Sequence, residues 1–188
     1  GDLLVAFIAN SGIGAAVTSA PSGWTLQKSE TTSASPSIWC YTKVAASESG
    51  SYAWGLSGTG TINYVGGIHR VNGVNATPVD STPVSSSASA TNPVTASYTT
   101  TVANCLILHG VTQTSATTAY TFTPPAGYDE RWDTSGGTVL PTSETSATRV
   151  QAPVAATGVR TFTSTAALAS QYATITIAIR PGTVTLAV

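Results

Sequence analysis

Charge is scarce in this chain. Only 8% of its 188 residues are Asp, Glu, Lys or Arg, against about 25% in ordinary globular domains. The seven basic residues, Lys28, Lys43, Arg70, Arg131, Arg149, Arg160 and Arg180, are scattered. No basic stripe exists to neutralise a run of phosphates, which argues against nucleic-acid binding. Methionine is absent and Gly1 comes first. A translated product needs an initiator, so the chain reads as a trimmed piece of something longer. Cysteine is limited to Cys40 and Cys105. Two thiols build neither a disulfide-dense scaffold nor a four-cysteine zinc site. Each falls in a strand-like run as a small apolar residue, and spacing alone leaves their pairing open. Long hydrophobic runs are missing too. "LLVAFIA" and "ITIAI" fall far short of the ~20 apolar residues that span a bilayer as a helix. Helix formers are thinly spread, and the Ala-rich "TAALASQYA" reads as a loop leading into a strand.

What the chain does have is Ser, Thr, Val and Gly, with 41% hydrophobic residues overall. β-Branched residues favour a pleated, half-buried surface. "DLLVAFIAN" reads as a strand buried on both faces. "SIWCYTKVA" alternates: Ile38, Cys40, Thr42 and Val44 on one side, Trp39, Tyr41 and Lys43 on the other. "SYAWGLS", "INYVGGIHRV", "VTASYTTTVA", "CLILHGVTQ", "ERWDTS", "TSATRVQA", "VRTFTST" and "YATITIAIRP" continue the series, with turn residues between them. "VSSSASATNP", residues 84–93, reads as a low-complexity crossover. The length suits one domain.

One turn is written twice. "APSGWTLQ" and "PPAGYDER" both contain Pro, a small residue, Gly and a large aromatic. Leu3 is matched by Leu106, Pro21 by Pro125, Gly50 by Gly158, Tyr64 by Tyr172, and Arg70 by Arg180, at a nearly constant offset. The expectation is an all-β, jelly-roll-like antiparallel β-sandwich filling residues 1–188. It would consist of two similar four-stranded halves, quasi-repeats 1–80 and 94–181, with 182–188 as a C-terminal strand or tail. The strand "TASYTTTVA" precedes the second half, and nothing matches it before Gly1. Either a missing strand lies upstream, or "GTVTLAV" fills the vacant edge of this or a neighbouring copy.

The string "GDLLVAFIA", "APSGWTL", "WCYTKVA", "SYAWGLS", "GGIHRVNGVNATPVD", "FTPPAGYDERWD" and "TITIAIRP" resembles a β-sandwich domain of tailed-phage minor tail and virion structural proteins and of secreted bacterial proteins. The likeness covers nearly the whole chain. In that family a strand usually precedes the "GDLLVA" segment. The shared motifs are framework motifs, and the resemblance implies no catalytic set.

The side chains themselves point the same way. Asp129, Glu130 and Asp133 cluster after the second bend. Neighbours on a strand face opposite ways, so Asp129 and Glu130 do not make a facing pair of glycosidase carboxylates. Asp133 and Arg131 suggest a surface ion pair. His69 and His109 lie in different halves, and nothing nearby supplies a third metal ligand. No G-x-S-x-G elbow is present. "SGIGA" and "GTGT" open no helix after a parallel strand, so no phosphate cradle is expected. Asn75-Ala-Thr fits the glycosylation acceptor pattern, with Pro78 close behind. No catalytic residue, cofactor or metal is expected. The aromatics remain. Trp24 and Tyr128 occupy the two equivalent bends and read as plugs folded over the sandwich. With Trp54 and Trp132 they are also candidates for stacking against sugar rings.

The sequence thus leads to a non-enzymatic structural subunit of a phage particle: a capsid decoration, tail or fibre protein. Its partners would be copies of itself and other virion proteins, its place the virion or the extracellular space. The alternative is an extracellular carbohydrate-binding module of a secreted bacterial protein or host-recognising fibre, with a host-surface glycan as partner. Neither reading involves nucleic acid or membrane insertion.

Overall fold

The computed structural model describes residues 1–32 and 35–182. They form an all-β body with no helix among them. The first half of the chain supplies β1 (Leu3–Asn10), β2 (Ala16–Ser19), β3 (Thr25–Thr31), β4 (Ser37–Val44), β5 (Gly55–Ser57), β6 (Tyr64–Val71), β7 (Val74–Val79) and β8 (Val84–Ala90). The second supplies β9 (Val94–Thr95), β10 (Cys105–Thr114), β11 (Phe122–Thr123), β12 (Asp129–Gly136), β13 (Thr142–Gln151), β14 (Arg160–Thr161), β15 (Thr163–Ser164) and β16 (Ser170–Pro181). The first large sheet runs β3-β4-β1-β6. The second runs β12-β13-β10-β16, with β7 and β8 both on the far edge of β16. Every pairing is antiparallel.

The two sheets pack face to face. Leu3, Val5, Phe7, Ala9, Ile38 and Cys40 from one meet Leu108, Ala173, Ile175, Ile177 and Ile179 from the other. This makes a sandwich. The outer faces are covered as well. Over the first sheet, Leu4, Ala6, Ile8, Trp39 and Tyr41 pack beneath Trp24, Trp54 and Val17. Over the second, Cys105, Ile107, Val111 and Ala178 pack beneath Tyr98, Phe122, Tyr128 and Phe162. β1 is therefore buried at all eight positions. That is why "LLVAFIAN" is apolar without interruption, where a half-exposed strand would alternate. The expected split of "SIWCYTKVA" holds for Ile38 and Cys40 against Trp39 and Tyr41.

Both Pro-small-Gly-aromatic bends make the same turn. Trp24 N–H donates to Pro21 C=O at 3.2 Å, and Tyr128 N–H to Pro125 C=O at 3.1 Å. Gly23 and Gly127 both sit at φ 82°. A type II turn needs that left-handed third residue, which glycine adopts without a Cβ penalty. The register agrees around the two central strands. Leu3 faces Val44 and Val71; Leu106 faces Val150 and Ile179.

Three expectations change. Residues 84–90 of the supposed crossover form β8, which pairs with β16 from Ser170 to Thr176. Backbone pairing and hydroxyls hold this Ser-rich strand. Ser86 bonds Thr174, and Ser85 and Ser87 donate to the Glu30 carboxylate of β3. "TASYTTTVA" is mostly irregular cover. Beyond β9 it keeps only the Thr99–Ala156 bridge, because Thr100 and Thr101 bond to Ala155 and Asp80 rather than to a continuous ladder. "SYAWGLS" is a strand only from Gly55. The C-terminal strand or tail expected at 182–188 lies, apart from Gly182, outside the described residues.

Phe7 of β1 packs directly on Gly110 of β10. A Cβ on Gly110 would lie 2.4 Å from the Phe7 ring. Gly110→Ala is therefore expected to cost about 1–3 kcal/mol by overpacking. Phe7→Leu should recover part of that loss in the double variant. Urea unfolding of the four-member cycle checks this, and additive losses would refute the contact.

Candidate functional site

The four aromatic candidates are distributed over three layers. Trp24 and Trp54 lie together above the first sheet, ring centroids 5.3 Å apart, with Tyr52 and Tyr41 beside them. Tyr128 lies on the outer side of the second sheet, 4.9 Å from the His109 ring. Trp132 is in the middle layer, 4.3 Å from the His69 ring and against Gly67. Trp24 and Tyr128 are only 8% and 7% exposed. Neither offers an open ring face; each closes one outer core. Of the four, Trp54 borders an open recess.

That recess is a groove of about 260 Å³ on the outer face of the first sheet. Ala6, Ile8 and Gly66 form its floor. Trp54, Leu56, Tyr64 and Ile68 complete its lining. Tyr64 is fixed by its hydroxyl, which donates to Ser57 C=O at 2.8 Å. A second recess of about 560 Å³ opens at the loop-bearing end. Ser11, Ser35, Thr59, Thr61, Thr114, Ser115 and Gln171 line it with Ile13 and Leu140. Neither recess is lined by Asp, Glu, His, Lys, Arg or Cys among the described residues. Hydroxyls, an amide and apolar surface can bind and position a ligand.

The carboxylate cluster resolves into separate duties. Arg131 pairs with Asp129 at 3.5 Å, not with Asp133, which accepts Phe122 N–H at 2.7 Å. Asp133 thereby ties β12 to β11. Asp80, buried at the corner of β7 and β8, accepts from Arg180 Nε at 3.0 Å and from both donors of Thr101. Cys40 and Cys105 are unpaired and lie in different cores. Burial pushes both thiols up, Cys105 to about 11. No group of three or more His, Cys, Asp or Glu among the described residues is arranged to hold a metal ion.

Polar residues are concentrated in β13, where Thr142 through Thr148 are all buried. Ser146 Oγ donates to His109 C=O at 2.8 Å, so it accepts from His69 Nε2 at 2.7 Å. Glu144 has neither carboxyl oxygen hydrogen-bonded. Burial holds its acid well above the usual range. The Trp132 indole beside it, outside normal hydrogen-bond geometry, offsets this only in part, and Asp133 adds to the shift. Sequence reasoning missed this residue. "TSETSAT" looks like a solvated strand, and nothing local marks it as interior.

Comparison with known proteins finds no matching family model, no matching curated sequence and no matching solved structure. The geometry has to speak for itself.

The buried ionisable groups set the pH response. Burial, with Arg131 and Arg160 respectively, lowers His69 to about 4 and His109 to about 3. The unfolded imidazoles take up protons near 6.5, so stability is full above that value and is lost as pH falls toward 4 and 3. Glu144 acts in the opposite sense. Its unfolded carboxyl ionises near 4.5 and the folded one resists, so stability is lost as pH rises from there. Glu144→Gln removes that loss. Its stability relative to wild type should grow as pH rises from about 4 to about 8 in urea melts. A difference that stays flat with pH would contradict the buried neutral acid.

Proposed function

We propose that this chain is a non-enzymatic building subunit of a tailed-phage particle, as a capsid decoration, tail or fibre protein. It would assemble with copies of itself and with other virion proteins. The observation that carries the reading is the chemistry of two recesses and of one sheet edge. The two recesses above are hydroxyl-rich or apolar and, Tyr64 apart, free of titratable side chains, and the edge strand β6 has no second neighbour among the described residues. Such surfaces suit permanent contact with other protein better than turnover of a substrate. The particle itself is suggested by the framework resemblance of the sequence.

A second reading has one observation in its favour. Trp54 borders the apolar groove, where a ring face can meet the apolar face of a sugar. In that case the chain is a glycan-binding module. A glycan array separates the two. Micromolar binding lost in Trp54→Ala, with the fold intact, would install the second reading.

Interfaces without charge are not screened. Self-association measured by analytical ultracentrifugation should change little between about 0.1 M and about 1 M salt, where the Debye length falls from about 10 Å to about 3 Å. Assemblies that dissociate steeply over that range would overturn the building role as stated.

A further inference from the structure

We propose that β6 is a self-association edge. Two copies of this chain pair their β6 strands antiparallel about Gly67, and Ile68 of each fills the hollow over Gly66 of the other. This rests on the building role above and names its contact.

The case begins with how the other edges are protected. An exposed strand edge invites pairing unless charge, proline or a bulge blocks it. β3 carries Lys28 and Glu30 and a register shift between Leu26 and Lys28. Its Glu30 also accepts from Ser85 and Ser87 of β8, lacing that side of the sandwich shut. β12 carries Asp129, Glu130, Arg131 and Asp133 and a register shift between Glu130 and Trp132. β6 has none of these devices. It pairs with β1 through eight unbroken positions and contains no proline and one charged residue, Arg70, already bound to Asp2 at 2.6 Å. No strand among the described residues takes its other edge.

The molecule also shows that a strand fits there. β16 holds the place in the second sheet that β6 holds in the first, and its corresponding edge carries β8. The hydrogen-bonding geometry of a fifth strand is thus already in use once.

The occupant follows from shape and charge. β6 presents Tyr64, Gly66, Ile68 and Arg70 on its outer face. Pairing about Gly67 sets Gly66 opposite the partner's Ile68, a knob over a position with no side chain. The hollow of about 260 Å³ above it is walled by Trp54, Leu56 and Tyr64, ample for one isoleucine. Ile68 is 42% exposed, and this contact would cover it. The same register sets Tyr64 opposite the partner's Arg70. The two arginines then stand roughly 20 Å apart, at ~3.3 Å per residue, and each meets a neutral ring. A pairing of this kind is isologous and closes at two, so a larger particle must use further surfaces.

The test is analytical ultracentrifugation of the whole chain and four variants, each checked by circular dichroism for an intact fold. Wild type is expected to dimerise. Ile68→Lys should weaken the dimer at least about tenfold by desolvating a charge at its centre, and Ile68→Ser should weaken it less. Leu26→Lys, 48% exposed on the guarded edge β3, should leave it unchanged. An Ile68→Lys chain that still associates as wild type does overturns this contact and leaves the building role standing. A wild type that stays monomeric at every concentration overturns both. Dimers that survive Ile68→Lys but vanish when residues 183–188 are deleted assign the edge to the tail and also overturn the proposal.

Discussion

Everything in this fold depends on burying both faces of the central strands. β1 and β10 are apolar or enclosed on each side, so two sheets packed together leave two faces still exposed. The chain answers with outer covers. Trp24, Trp54 and the β2–β5 ribbon close one side; Tyr98, Phe122, Tyr128 and Phe162 close the other. The short strands and long connections are therefore lids over apolar surface. Each large aromatic in them removes enough area from water to offset the ordering of an otherwise loose segment.

Covering the faces moves the exposed backbone to the edges. Charge is scarce, so its placement there matters. Glu30 joins β3 to β8, the acidic run protects β12, and Arg180 with Asp80 pins the corner between β7 and β8. Among the described residues β6 is an edge with no unpaired charge, proline or bulge to guard it, and it borders an apolar groove. The remaining surface is neutral and hydroxyl-rich, which weakens repulsion between copies.

Much of this was legible in particular residues. The unbroken run of Leu3–Asn10 announced a strand covered twice, and the two bends announced one turn made twice. Other features carried no local signal. β8 is Ser and Ala because its stability comes from pairing with β16 and from hydroxyl bonds, not from strand propensity. The Thr-rich 95–103 stretch looked like a strand, yet its hydroxyls bond Asp80 and Ala155. Glu144 and its polar neighbours are interior because distant side chains pack on them, among them His69 of β6 on Ser146 and Trp132 on Glu144, a long-range fact. Among the site residues, Trp54 was legible only as one of four aromatics, and the groove it borders was not. The Gly66–Gly67 pair was not flagged, although glycine inside a strand often marks close approach or space for a partner.

Native-state amide hydrogen exchange tests the central claim most directly. If the two sheets and their covers form one body around doubly buried strands, the amides of β1 and β10 should exchange slowest and with the same free energy, that of global unfolding. Amides of the outer ribbons β2, β5, β11 and β14 should open first. Unequal protection of β1 and β10, or central strands that exchange as fast as their covers, would contradict it.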